Sequence, residues 1–155
     1  MSTERLVCFL LGDQELGLAI GDVKETIELR PVTRLFLVPD FVAGLCNMRG
    51  EVLAVLDLAK LLGLGHHVPR PESRIVVLRG RAPGRPVAAG LLVDAITDVR
   101  HLPPEGMHDL PPTLPADAAM FLRGLARIGD RAVMVLSVDK VLDCQALKPF
   151  RRKAA

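Results

Sequence analysis

Side chains capable of covalent or metal chemistry are few in this sequence and poorly spaced for it. Serine occurs only at Ser2, Ser73 and Ser137. Ser137 lies in an apolar run, Val135-Leu136-Ser137-Val138, without the flanking glycines that would expose a nucleophile on a sharp turn. Cys8, Cys46 and Cys144 are odd in number, far apart and free of any C-x-x-C spacing, so reduced thiols of a cytoplasmic protein are expected. Cys8 and Cys46 fall inside apolar runs, where burial raises a thiol's pKa and blunts its reactivity. His66 and His67 are adjacent, but no Cys, Asp or Glu stands near them at metal-ligand spacing. Both are expected in solvent, as are His101, which borders the proline-rich stretch 102–114, and His108 within it. Gly63-Leu64-Gly65 follows a helical turn rather than a strand, and no phosphate-binding loop motif occurs. The carboxylate pairs Asp22/Glu25, Glu25/Glu28 and Asp94/Asp98 lack a neighbouring histidine or nucleophile and are expected as surface acids. No catalytic constellation, metal site or cofactor is therefore expected.

Composition sets the bounds. The 155 residues are 50% hydrophobic and 25% charged, enough apolar surface for one compact domain or two small halves sharing a core. A net charge of +2 is too balanced to imply a polyanionic partner. Five Phe and no Trp or Tyr leave few stacking platforms for single-stranded nucleic acid. The alternative function that survives is a small β-barrel binding nucleic acid through the Arg-rich loop 79–85, with Arg74, Arg79, Arg81 and Arg85 contacting phosphate. The start of the chain has an early acid and no secretory pattern. Uncharged runs such as Val52 to Leu56 and Ala88 to Val93 are the length of strands, far short of a membrane span.

Strand patterns dominate. Leu6 to Leu11 and Leu16 to Ile20 flank Gly12-Asp13-Gln14-Glu15 as a hairpin. A short helical piece capped by Asp22 is expected over Asp22 to Glu25, then a strand over Thr26 to Arg30. Strands from Gly44 to Arg49 and Glu51 to Leu56 meet at Gly50, and Asp57 to Gly63 reads as a capped helical turn stopped by glycine. Arg74 to Leu78 and Pro86 to Val93 form a second hairpin pattern.

The pattern recurs. Phe41-Val42-Ala43-Gly44-Leu45 maps onto Phe121-Leu122-Arg123-Gly124-Leu125 at an offset of 80, which also carries Val55-Leu56 onto Val135-Leu136 and Lys60 onto Lys140. Upstream, an offset of 70 carries Val23, Leu29 and Arg30 onto Val93, Val99 and Arg100. The difference falls in the proline-rich stretch, as expected of a diverged duplication into two units of about five strands. On that alignment Glu25, Arg49 and Asp57 face Ala95, Gly129 and Ser137, so the first unit holds charges that the second lacks. Glu25 and Arg49 are expected to pair across the surface of the first barrel, as an ordinary surface ion pair or as one that orders a docking face.

The same residues carry a resemblance over about Leu6 to Leu147. Its most specific part runs from Phe41 to Leu58, through Asn47-Met48-Arg49-Gly50-Glu51-Val52-Leu53 and Leu56-Asp57-Leu58; Phe9 to Glu15, Val23 to Ile27, Gly90 to Asp94 and Leu122 to Leu125 support it. The sequence resembles the CheW-type coupling proteins of bacterial chemosensory arrays, departing at Ala54, where the family usually has proline. The resemblance implies an all-β fold of two SH3-like five-stranded barrels related by pseudo-two-fold symmetry, with short helical turns and a C-terminal helix. It implies a single domain over residues 1–148, with a first barrel over roughly 14–73 and a second over roughly 74–148 that includes the N-terminal strand, then a basic tail at 149–155. The implied function is a non-catalytic, cytoplasmic adaptor recruited to membrane-associated arrays, joining a histidine kinase's regulatory domain to chemoreceptor tips. Carried over by position, Val23, Gly44 and Gly124 would meet the kinase, Ile96 and Val99 would line the receptor groove, and Glu25, Arg49 and Gly50 would shape the docking face.

Overall fold

The computed structural model describes residues 4–79 and 89–143. Eleven strands and three short helices are present among them: β1 (Glu4–Leu11), β2 (Gln14–Ala19), β3 (Val23–Glu28), β4 (Val42–Met48), β5 (Glu51–Asp57), α1 (Leu58–Leu61), β6 (Arg74–Leu78), β7 (Ala89–Val93), β8 (Ala95–Leu102), β9 (Met107–His108), α2 (Ala116–Ala119), β10 (Leu122–Ile128), β11 (Arg131–Leu136) and α3 (Val138–Leu142). They form a five-stranded sheet in the order β3-β6-β7-β5-β4 and a six-stranded sheet in the order β8-β1-β2-β11-β10-β9. Each sheet coils into a small barrel, as expected of the all-β, two-barrel class.

The division of the chain differs from the sequential one. Residues 14–19 lie in the six-stranded sheet, and residues 74–93 contribute β6 and β7 to the five-stranded one. The β1–β2 hairpin thus completes the barrel built mainly from the C-terminal half. Pairing makes the repeat explicit. Gly90 pairs with Val77 on one side and, in parallel, with Val55 on the other; Gly17 pairs with Cys8 and, in parallel, with Val135. The offset of 80 holds through β4–β5 and β10–β11, where irregularities fall at Val42/Gly44 and Leu122/Gly124. The offset of 70 does not hold. The bulge of β3 against β6 lies at Lys24 and that of β8 against β1 at Thr97, so β3 superposes on β8 at an offset of 73. Val23 therefore corresponds to Ile96, and Glu25 to Asp98 rather than Ala95. A few like residues can match by chance in a wrong register, whereas an unpaired bulge residue pins one.

The strands at the junction bury both faces, which is why they read as continuous apolar runs. Leu53, Val55, Ile75 and Val77 point into the first barrel's own core with Ile27, Cys46 and Met48. Leu6, Cys8, Val133 and Val135 do the same in the second with Ala126 and Leu102. The intervening residues, among them Phe9, Leu11, Ala54, Leu56, Val76, Leu91 and Leu136, meet in a third core shared by the two barrels. At about 25 cal/mol per Å² of apolar surface, this shared core makes each barrel the other's main hydrophobic cover.

Local chemistry explains the helices. Asp57 caps α1, its carboxylate accepting from the Lys60 N–H at 3.2 Å, and Gly63 takes a left-handed φ of 72° just beyond. The helical piece expected over Asp22 to Glu25 is a 3-10 turn at Ile20–Asp22, with Val23 already in β3. Pairing with β6 overrides the weak capping signal of Asp22. α3 is the last described helix; Cys144 and the basic tail lie outside the described residues, as do Arg81 and Arg85.

Candidate functional site

β4 and β5 are joined by a two-residue turn, Arg49-Gly50, because Met48 pairs directly with Glu51. Both turn residues are left-handed, Arg49 at φ 52° and Gly50 at φ 84°. Such a turn matches strand twist but suits glycine or asparagine far better than arginine. The Asn47 side chain supports it by accepting from the Gly50 N–H at 3.0 Å. Arg49 reaches β3 and makes a two-pronged pair with Glu25, at 2.7 and 2.8 Å. The arginine side chain is 70% exposed and the glutamate 22%. The Glu25 hydrogen bond, then its charge, raises the Arg49 pKa above its ordinary value, so the guanidinium stays charged. The equivalent turn of the second barrel, Gly129-Asp130 between Ile128 and Arg131, has glycine where the first has arginine.

The second barrel nevertheless keeps an acid at the matching bulge. Asp98 accepts from Arg131 at 3.1 Å and from Arg100 at 2.6 Å, and Arg131 also pairs with Glu15. Both barrels therefore carry an acid–arginine pair beside the bulge, on turn residue Arg49 in one and on strand residue Arg131 in the other. Offset 70 had hidden this correspondence.

The remaining candidates are spread over the molecule. Val23 and Ile96, equivalent by the repeat, are both half-buried against the shared core. Val99 is 49% exposed on β8. Gly44 sits in the β4 bulge, where Thr33 and Leu45 exchange backbone hydrogen bonds of 2.7 and 2.9 Å. Gly124 lies against the backbone of His108 and the side chain of Met107. The structure thus joins Glu25, Arg49 and Gly50 in one feature, with Val23 on the same strand as Glu25, and puts Ile96 and Val99 on the other sheet.

Two groups differ from expectation. His67 is not a solvated loop residue: its ring is 4% exposed and its Nδ1 lies 3.1 Å from Asp94. Asp94 is no free surface acid either, since it also accepts from the Gly12 N–H at 2.7 Å. This clasp ties the loop after α1 to the β1–β2 turn of the second barrel. Its three members are 82 and 27 residues apart along the chain, a separation that local spacing never reports. Of the basic residues, Arg74 donates to the carbonyls of Pro71 and Ser73 rather than standing free. Cys8 and Cys46 are buried, free thiols. Burial pushes the pKa of each above its ordinary value, with Asp98 adding to the effect at Cys8. Cys8, Glu15 and Asp98 lie close enough to share an ion, but Arg131 already occupies both carboxylates.

No nucleophile–base pair is assembled among the described residues. A family model for the CheW-like domain matches residues 5–146. The chain is 30% identical over 145 residues to the chemotaxis protein CheW of Klebsiella aerogenes, covering 93% of this chain and 84% of that one. It is 33% identical over 143 residues to protein FrzA of Myxococcus xanthus, covering 90% and 85%. The crystal structure of the scaffolding protein TtCheW from Thermoanaerobacter tengcongensis superposes with a TM-score of 0.81 at 25% identity, covering 98% of this chain and 96% of that one. The chain belongs to the CheW family. The two-barrel, SH3-like class is that of the family, and nothing in these relatives supports the nucleic-acid alternative.

Proposed function

We infer that the chain is a non-catalytic coupling adaptor of a chemosensory system, and that it joins a histidine kinase to chemoreceptors. Family membership carries the adaptor role. The particular partners are our reading: the kinase's regulatory domain at a face including Val23, Gly44 and Gly124, and the receptor's coiled-coil tip at a groove including Ile96 and Val99. Glu25, Arg49 and Gly50 shape the docking surface. No described helix is long and apolar enough to cross a membrane, so in this reading the partners bring the chain to the membrane-associated array.

The observation that favours a working surface at Arg49 is its backbone. A left-handed arginine is strained where glycine would not be, and strain of this kind persists where a side chain is needed. Apolar residues exposed in the loop between β3 and β4, Phe36 and Leu37, fit a protein that meets partners through its faces.

The test is a pair of substitutions at Arg49. Arg49→Gly relieves the turn and should raise the urea midpoint of unfolding, while binding to purified kinase regulatory domain or receptor fragment weakens. Arg49→Glu should weaken binding further through repulsion with Glu25, and Glu25→Arg combined with Arg49→Glu should recover part of it. Undiminished binding of both partners by Arg49→Glu would remove this pair from the docking surface.

A further inference from the structure

Among the described residues the chain passes between the two sheets twice, once through Ile20–Asp22, from β2 to β3, and once at Asp94, from β7 to β8. The second passage takes a single residue. Val93 still pairs with Arg74 in the five-stranded sheet, and Ala95 already pairs with Leu10 in the six-stranded one. Asp94 is therefore the joint at which the first barrel's backbone becomes the second's, the kind of position where a hinge concentrates its change of angle.

That joint is gripped from both barrels. The Asp94 N–H donates to the Leu10 carbonyl at 3.0 Å. One carboxylate oxygen accepts from the Gly12 N–H at 2.7 Å, in the β1–β2 turn, and the other lies 3.1 Å from His67 Nδ1. His67 is held in turn by the first barrel: its backbone N–H donates at 3.0 Å to Asp57, whose other oxygen caps α1. Asp57, His67, Asp94 and Gly12 thus form one polar chain running from the first barrel to the second. Asp57 and the His67 ring are buried and Asp94 is largely so, which shields these bonds from competing water. The Ile20–Asp22 passage is held differently. The Asp22 carbonyl accepts from the Arg79 N–H at 2.8 Å, and the Asp22 charge reaches across to Arg123, which pairs with Glu4 in solvent. Solvent-facing charges of that kind contribute weakly.

Hydrophobic attraction has no direction, so the shared core holds the barrels together more firmly than it fixes the angle between them. Hydrogen bonds do have direction. We propose that the His67–Asp94–Gly12 clasp is the lock on a hinge at Asp94 and sets the angle between the barrels. When it is released, the angle changes while each barrel stays folded. Ile96 lies two residues past the hinge and Val23 directly after the Ile20–Asp22 turn, so both move with it. On the reading given above, in which Ile96 lines a receptor groove, the lock presets the shape of that groove. The lock itself does not depend on the partner, and its experiment uses this chain alone.

The experiment is measurement of backbone N–H residual dipolar couplings on the full-length protein, fitted to the structure as one body and then barrel by barrel. Wild-type couplings should fit one body. His67→Phe keeps a ring in the site and removes its bond to Asp94, and Asp94→Ala removes both side-chain grips. In each variant the barrels should still fit singly while the one-body fit is lost, more completely in Asp94→Ala. His66→Phe, at the exposed neighbour, should leave the one-body fit intact. A one-body fit that survives both His67→Phe and Asp94→Ala, or wild-type barrels that already need separate fits, would overturn the proposal. So would loss of the fit within a single barrel in His67→Phe, because the clasp would then be a prop of that barrel and not a joint between two.

Discussion

Gly44→Ala is expected to remove about 3 kcal/mol or more of folding stability, seen as a large fall in the urea midpoint. A Cβ at this position would stand 2.1 Å from the Thr33 carbonyl oxygen and 2.8 Å from both the Thr33 carbonyl carbon and the Val32 methyl. The backbone φ of 145° is one that side-chain-bearing residues rarely adopt. Overpacking of about 1–3 kcal/mol and backbone strain of a similar size add here, because neither can relax without the other. The relaxation available is to give up the Thr33–Leu45 bridge, which would release the whole β3–β4 loop. Gly124→Ala is the internal control. Its Cβ would meet the His108 carbonyl oxygen at 2.8 Å and the flexible Met107 sulfur at 2.9 Å, without a left-handed φ. Its cost should be the smaller. Equal costs for the two variants would mean that the bulge conformation of β4 contributes nothing. A docking defect at position 44 therefore has to be read beside a melting curve, since the residue supports its loop before it meets any partner.

Phe9→Ala is expected to cost about 3–5 kcal/mol and to loosen both barrels together. Phe9 is fully buried in the shared core, among residues from both sheets. Cys46 reports the first barrel's interior and Cys8 the second's. In Phe9→Ala, peptide-mapped thiol labelling of the two should accelerate in parallel, and unfolding should stay a single transition. Labelling of one thiol at the wild-type rate while the other speeds up would show that the barrels open independently.

How much of this was legible in the sequence follows from what is local and what is not. The strand pairs around Gly50 and Gly12 and the Asp57 cap rest on turn residues and apolar runs visible in a short window, and the repeat of β4–β5 in β10–β11 shows as like residues at one offset. The Arg49–Glu25 pair was anticipated from an alignment in which both residues stand out, although Glu25 in fact corresponds to another acid, Asp98. Its pseudo-symmetric relative, Asp98 with Arg131, was missed because three scattered likenesses, Val23 with Val93, Leu29 with Val99 and Arg30 with Arg100, suggest a register three residues away from the true one. The exchange of strands between halves was also invisible. β6 and β7 follow the first unit's helix as naturally as they would begin the second, and only pairing with β3 and β5 assigns them. The His67–Asp94–Gly12 clasp depends on loops brought together by the barrel junction, so no spacing rule could have found it.

The adaptor account makes one demand that a merely accessory protein would not meet. A bridging molecule promotes kinase–receptor association at intermediate concentration and inhibits it in excess, when separate copies occupy each partner. Co-sedimentation of kinase with receptor fragments, measured across a titration of this protein, should rise from a low baseline, pass through a maximum and fall. Full kinase–receptor association without the protein, or no recruitment of kinase at any concentration of it, would contradict the account.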